Sequence, residues 1–182
     1  FASQWDIIYG VQDTDYDTVP DRDDNYILDP TQTTDSDNDG FGDNPAGRLS
    51  DNCPYYWGDS VEDRRGCPDQ DGDGWSDLGD DFWREPTQWK DTDGDGFGDN
   101  YDATDERLSH WPGIFIEGAM NSDPSPLDFD NDGFEDDGIS PVGFDDCPQQ
   151  FGWSFEDRMG CIDTDWDGWS NNDGLWNQGD IF

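Results

Sequence analysis

Six times along the chain an acid stands at every second position ahead of a turn residue, in the nonapeptide D-x-D-x-D-G-x-x-D. The copies span 13–21, 35–43, 69–77, 91–99, 128–136 and 163–171, and "DTDGDGFGDN" (91–100) shows the pattern in full. The first copy has Thr18 in place of glycine, and the last has Asn171 in place of the ninth acid. Carboxylates so close together repel one another at neutral pH, so a compact fold needs positive charge among them. The chain supplies little, with 8 Lys and Arg against 47 Asp and Glu and a formal net charge of −39.

The spacing itself names the missing charge. Short Asp side chains at positions 1, 3 and 5 converge on one hard cation as the backbone curls around it. Glycine at position 6 permits the turn, and the carbonyl at position 7 adds an oxygen. The ninth residue binds directly or through water. This assigns metal ligands Asp13, Asp15, Asp17 and Asp21; Asp35, Asp37, Asp39 and Asp43; and Asp69, Asp71, Asp73 and Asp77. The later copies add Asp91, Asp93, Asp95 and Asp99; Asp128, Asp130, Asp132 and Asp136; and Asp163, Asp165, Asp167 and Asn171. Position 12 holds Asp24, Asp80 and Asp102 in the first, third and fourth copies, where each closes the cage. In the second and fifth, position 12 is Ala46 or Ile139, and Asp51 or Asp145, ahead of a cysteine, folds back instead. Six to eight flexible oxygen ligands suit calcium better than magnesium, and the absence of His and Cys inside the loops argues against zinc or copper. Six such ions, each of charge +2, cancel twelve of the 39 excess negative charges.

Only 30% of residues are hydrophobic, a composition that points towards disorder, yet 15% are aromatic, including ten Trp. The charge excludes nucleic acid as a direct partner and disfavours anionic membranes. No apolar run approaches the ~20 residues of a membrane span, so membrane insertion is not expected. Segments repeat at offsets of 56 ("DPTQTTDSDNDGFGDN", 29–44, on "EPTQWKDTDGDGFGDN", 85–100) and 94 (53–76 on 147–170). The organisation expected is a calcium-repeat array over 1–100, a non-repeat insertion over 101–127, and a second array over 128–182. The terminal "GDIF" (179–182) followed by "FASQW" (1–5) nearly rebuilds the internal "GDDFWREPTQW" (79–89), which marks either a segment of a longer array or subunits meeting end to end. Flanks punctuated by Pro, Gly and aromatics leave no room for the paired helices of an EF-hand.

The motifs "DTDGDGFGDN" (91–100), "DNCP" (51–54), "DRRGCPDQDGDGWSD" (63–77) and "DDCP" (145–148) resemble thrombospondin type-3 repeats and their microbial relatives, over most of the chain outside 101–127 and the first dozen residues. The resemblance implies calcium wrapped by the acids, disulfide-stapled loops, little regular secondary structure and an extracellular role as spacer, adhesive stalk or matrix component. The fold class expected is therefore a calcium-stabilised tandem loop-repeat array with short β-strands. Four cysteines permit three connectivities, and the repeat favours Cys53–Cys67 and Cys147–Cys161. A zinc site is the weaker rival. The recurring Glu62-Asp63-Arg64 and Glu156-Asp157-Arg158 read as local salt bridges. Aromatics at position 7 (Phe41, Trp75, Phe97, Phe134, Trp169), with Trp5, Trp83, Trp89, Trp153 and Trp176, are expected to supply most of a thin apolar core; sugar stacking is the alternative for exposed rings. "WDIIYGV" (5–11) reads either as an edge strand for a partner or as packing within its own chain. His110 has no nucleophile arrangement around it, and no enzyme is expected. The function expected is a secreted, non-enzymatic, calcium-binding structural protein that associates head to tail as a rod or filament. The alternatives are an adhesive or glycan-binding module, or a calcium-dependent spacer of a larger secreted protein.

Overall fold

The computed structural model describes residues 12–102, 111–138 and 143–171. Among these there is no helix, and the β-pairs formed between described residues are isolated parallel bridges in place of the expected short strands: Gly42 with Ser50, Gly98 with Ser122, Tyr101 with Phe115, and Glu135 with Phe144. The cause is local. Aspartate side chains accept the backbone N–H groups of residues two to five positions on, so those donors never enter a ladder.

The chain forms two compact units, Phe1–Trp89 and Lys90–Phe182. The first carries loops 1 to 3 (13–21, 35–43, 69–77) and the disulfide Cys53–Cys67; the second carries loops 4 to 6 (91–99, 128–136, 163–171) and the disulfide Cys147–Cys161. The division falls ahead of loop 4. The reason lies in the detour after loop 4. Tyr101 pairs with Phe115, and the chain returns so that Asp123 N–H donates to the Gly98 carbonyl (2.8 Å). Loop 2 makes the same return in miniature, with Asp51 N–H donating to the Gly42 carbonyl (2.8 Å). Loop 5 then docks on loop 4, with the Asp128 N–H donating to Asp93 Oδ2 (3.0 Å) and the Asn131 amide to Asp95 Oδ2 (2.8 Å).

The core is polar, not aromatic. Gln32, Gln88, Asn100, Asp123, Asp128 and Asp145 are among the largest fully buried side chains, whereas the buried apolar set is Cys67, Leu127 and Cys161. Gln32 explains why. Its amide donates to the Asn44 and Arg48 carbonyls (both 3.1 Å) and accepts from the Asn44 N–H (2.9 Å), which pins the "PAGRLS" return of loop 2. With no ladder to absorb backbone polarity, the interior must hold groups that satisfy it. Of the rings expected there, Trp83, Phe97, Trp153 and Trp169 are exposed and Phe41, Trp75, Trp89 and Phe134 are half-buried, Trp75 stacking on Trp89 (6.0 Å between centroids). Trp5, Trp176, "WDIIYGV" (5–11), His110 and both chain ends lie outside the described residues.

Candidate metal centre

Loop 4 shows how each cage is wound. Asp91 accepts the N–H groups of Gly94 on Oδ1 (2.7 Å) and Gly96 on Oδ2 (3.0 Å), Asp93 accepts that of Asp95 (3.1 Å), and Asp95 that of Phe97 (2.8 Å). The residue at position 4 adopts a left-handed φ in every loop: Tyr16, Asn38, Gly72, Gly94, Asn131 and Trp166. The chain thus curls around its own carboxylates. In loops 1 to 5 the acids at positions 1, 3 and 5 each offer an oxygen within 4.8 Å of the other two.

Position 9 bonds across the ring. Asp99 accepts both the N–H (3.0 Å) and the hydroxyl (2.6 Å) of Thr92, and Asp21 and Asp43 grip Thr14 and Ser36 in the same way. Asp77 and Asp136 accept the N–H of Gln70 (2.7 Å) and Phe129 (3.1 Å), and Asn171 that of Thr164 (3.1 Å). The ninth residue is the clasp that closes the ring. At Asp43 burial raises the pKa, but the hydrogen bonds from Ser36 and Thr34 outweigh it and hold the carboxyl below its usual value.

A further acid is brought to loops 1 to 5 from outside the nonapeptide. In loops 1 and 3 it is the position-12 residue, Asp24 or Asp80, each buried and each accepting the N–H two residues on (2.7 and 2.6 Å). In loops 2 and 5 it is Asp51 or Asp145, which accept the Cys53 and Cys147 N–H groups (both 2.6 Å). Loop 4 departs from the sequence reading. Asp102 is exposed, because Tyr101 is drawn into its bridge with Phe115. The place is taken by Asp123, 1% exposed, which accepts the Ser125 N–H (2.6 Å) and feels the charges of Asp93, Asp95 and Asp99. Sequence reasoning missed Asp123, although a signal exists: Asp51, Asp123 and Asp145 all begin Asp-x-x-Pro. Asp163 is buried and accepts the Trp166 and Gly168 N–H groups (2.7 and 2.8 Å), and Asp167 accepts that of Trp169 (2.9 Å).

Two supports also went unread. Asp63 accepts the Ser76 N–H (2.8 Å) and hydroxyl (2.7 Å), and Asp157 does the same for Ser170 (2.8 and 2.9 Å). These acids brace loops 3 and 6, a role the local salt-bridge reading lacked. Gly66 and Gly160 have left-handed φ, and a Cβ at either would strike the carboxylate of Asp51 or Asp145. Glycine ahead of the second cysteine of each staple leaves the closing acid its space.

The electrostatics are those of crowded, partly buried carboxylates. Burial, then neighbouring carboxylates, push Asp145 up to about 7 against the pull of the Cys147 N–H; Asp51, Asp73 and Asp80 rise to about 6 for the same reasons. Several oxygens accept no hydrogen bond among the described residues, including Oδ2 of Asp37 and Asp51 in loop 2, of Asp71 and Asp73 in loop 3, and of Asp145 in loop 5. A buried polar atom left unmatched is costly, and a buried unpaired charge more so. All the converging donors are hard carboxylate oxygens, so the residues fit a hard divalent cation; both described cysteine pairs are spent as disulfides, which removes the zinc alternative there. No protein-family model matches the sequence, and no curated protein matches it.

Proposed function

We propose that the chain is an extracellular calcium-binding structural protein, built in the manner of thrombospondin type-3 repeats, whose loops become rigid when calcium fills them. The observation that carries this reading is the set of buried, unmatched Asp oxygens converging in the loops, above all Oδ2 of the fully buried Asp145. Calcium accepts that number and type of oxygen, and its charge relieves the repulsion that otherwise pushes the carboxyl pKa values up. The two disulfides accord with an oxidising compartment. In this role the chain is a rod or filament subunit, with copies joined head to tail. A heterologous contact that does not close generates such a filament.

Negative-stain electron microscopy of the purified protein in millimolar calcium and after EGTA tests the reading. Straight rods or fibres that collapse with chelator are expected. Particles that stay compact and unchanged after complete calcium removal would overturn the scaffold. Calcium-dependent rods that never associate would keep the scaffold and remove the filament.

A further inference from the structure

Between loop 5, the second staple and loop 6 lies a cavity of about 310 Å³, walled by Phe134, Trp153, Phe155 and Trp166, with Asp132 and Asp163 completing its lining. That volume is at the small end of the ~300–1,000 Å³ of ligand sites. We propose that this cleft binds a small quaternary-ammonium cation of choline type. The inference does not rest on the calcium reading.

The aromatics are not there to fold the chain, and an internal control shows it. In the first staple, Asp59, Val61 and Gly72 stand where the second has Trp153, Phe155 and Trp166. The backbone is nonetheless the same. The Ser60 hydroxyl donates to the Cys67 carbonyl (2.8 Å) as Ser154 does to Cys161 (2.9 Å), and the Val61 N–H donates to the Gly74 carbonyl (2.8 Å) as Phe155 does to Gly168 (2.9 Å). The first staple keeps this backbone without rings at those three positions, its own Tyr55, Tyr56 and Trp57 standing elsewhere on the loop and exposed, yet the second copy places two indoles there at 5.9 Å between centroids, 28° from parallel.

Trp166 is held at a cost. Its φ of 66° lies in the left-handed region, which disfavours bulky side chains and which loops 3 and 4 fill with glycine. The ring is still 71% exposed. A strained tryptophan that buries little of itself gains little for folding beyond its stack on Trp153, and an indole face open to solvent beside a second indole is a surface for cation–π contact.

Charge selects the ligand. Asp132 and Asp163 line the cleft and are 6% and 7% exposed, so the acids lie in its floor and the rings form its open rim. Loop 5 gathers five acidic side chains (Asp128, Asp130, Asp132, Asp136, Asp145), more than one divalent ion neutralises once all of them are ionised. The field therefore favours a cation with or without metal, and the chain's formal charge of −39 raises the local concentration of one. A quaternary ammonium is weakly hydrated and can enter an aromatic site without hydrogen-bond acceptors, whereas a primary ammonium is strongly hydrated.

The test is a titration of the whole chain, in calcium buffer at constant ionic strength, with choline chloride and with its neutral isostere 3,3-dimethylbutan-1-ol, followed by tryptophan fluorescence. Saturable choline binding is expected, with the alcohol at least ~10-fold weaker. Trp166→Gly installs the residue loop 3 uses at this position; it should weaken choline at least ~10-fold while melting no lower than the parent. Phe155→Val, the residue of the first staple, should weaken it severalfold. An unsaturable response, equal binding of the alcohol, or unchanged affinity in Trp166→Gly would overturn the proposal.

Discussion

Replacing Asp123 by Asn separates the tertiary reading of loop 4 from the sequence reading. The substitution keeps the side-chain shape and an oxygen able to accept the Ser125 N–H (2.6 Å), but removes the charge beside Asp93, Asp95 and Asp99. Removing one partner of a buried ion pair costs about 3–5 kcal/mol. The retained amide oxygen can still ligate, and burial already holds Asp123 at about 7, so part of the binding energy goes into removing its proton. A net loss of about 2–4 kcal/mol remains, or roughly 30- to 1,000-fold in the affinity of that site. Asp102→Asn, at an exposed position, should change affinity by less than about 3-fold. Isothermal titration of EGTA-stripped, desalted protein with calcium reads both variants. The metal-free Asp123→Asn protein should also melt higher than its parent, because one like charge has left the cluster, and the calcium-loaded one lower. Equal effects of the two variants, or a greater effect at Asp102, would refute the assignment.

The pH dependence should invert with metal. Asp51 rises to about 6 and Asp145 to about 7, above the usual 3.8, so their contribution to metal-free stability is fully present below about pH 4 and lost as pH rises through 6–7. Metal-free protein should therefore melt higher at pH 5 than at pH 8, the reverse holding in calcium; calcium added at pH 6 should release protons, seen as a calorimetric enthalpy that depends on buffer ionisation. Gly160→Ala should drive its new Cβ into the Asp145 carboxylate and weaken loop 5 for calcium by at least about 10-fold while the disulfide still forms, as mass spectrometry would check. Gln32→Ala should destabilise the first unit by about 1–3 kcal/mol, since a buried side chain is lost and three part-buried backbone groups of Asn44 and Arg48 lose their partners, and should loosen calcium at loop 2 because the return of Asp51 is no longer pinned. Hydrogen exchange at Asn44 and Asp51 would report it.

The local part of this protein is written in its sequence. The D-x-D-x-D-G-x-x-D spacing dictates that acids at positions 1, 3 and 5 meet, because each accepts a backbone N–H within five residues of itself, and the equal 14-residue separations of the cysteines pointed to the two staples. Local hydrogen bonds of this kind need no distant partner, so pattern alone reveals them. The fifth acid was legible only where a fixed count or a neighbouring cysteine marked it, as for Asp24, Asp80, Asp51 and Asp145. Asp123 was not, because the detour from Asn100 to Ser122 has no fixed length, and only pairing of Ser122 with Gly98 returns it to its loop. The interior was misjudged for a related reason. Hydrophobicity ranks side chains by their cost in water, but a fold without ladders must bury groups that satisfy backbone N–H and C=O, so Gln32 and Asp145 went inside and Trp153 and Trp166 stayed out. Which acids share a cage, and which rings face solvent, was decided by chain return, a long-range property that the nonapeptide does not encode.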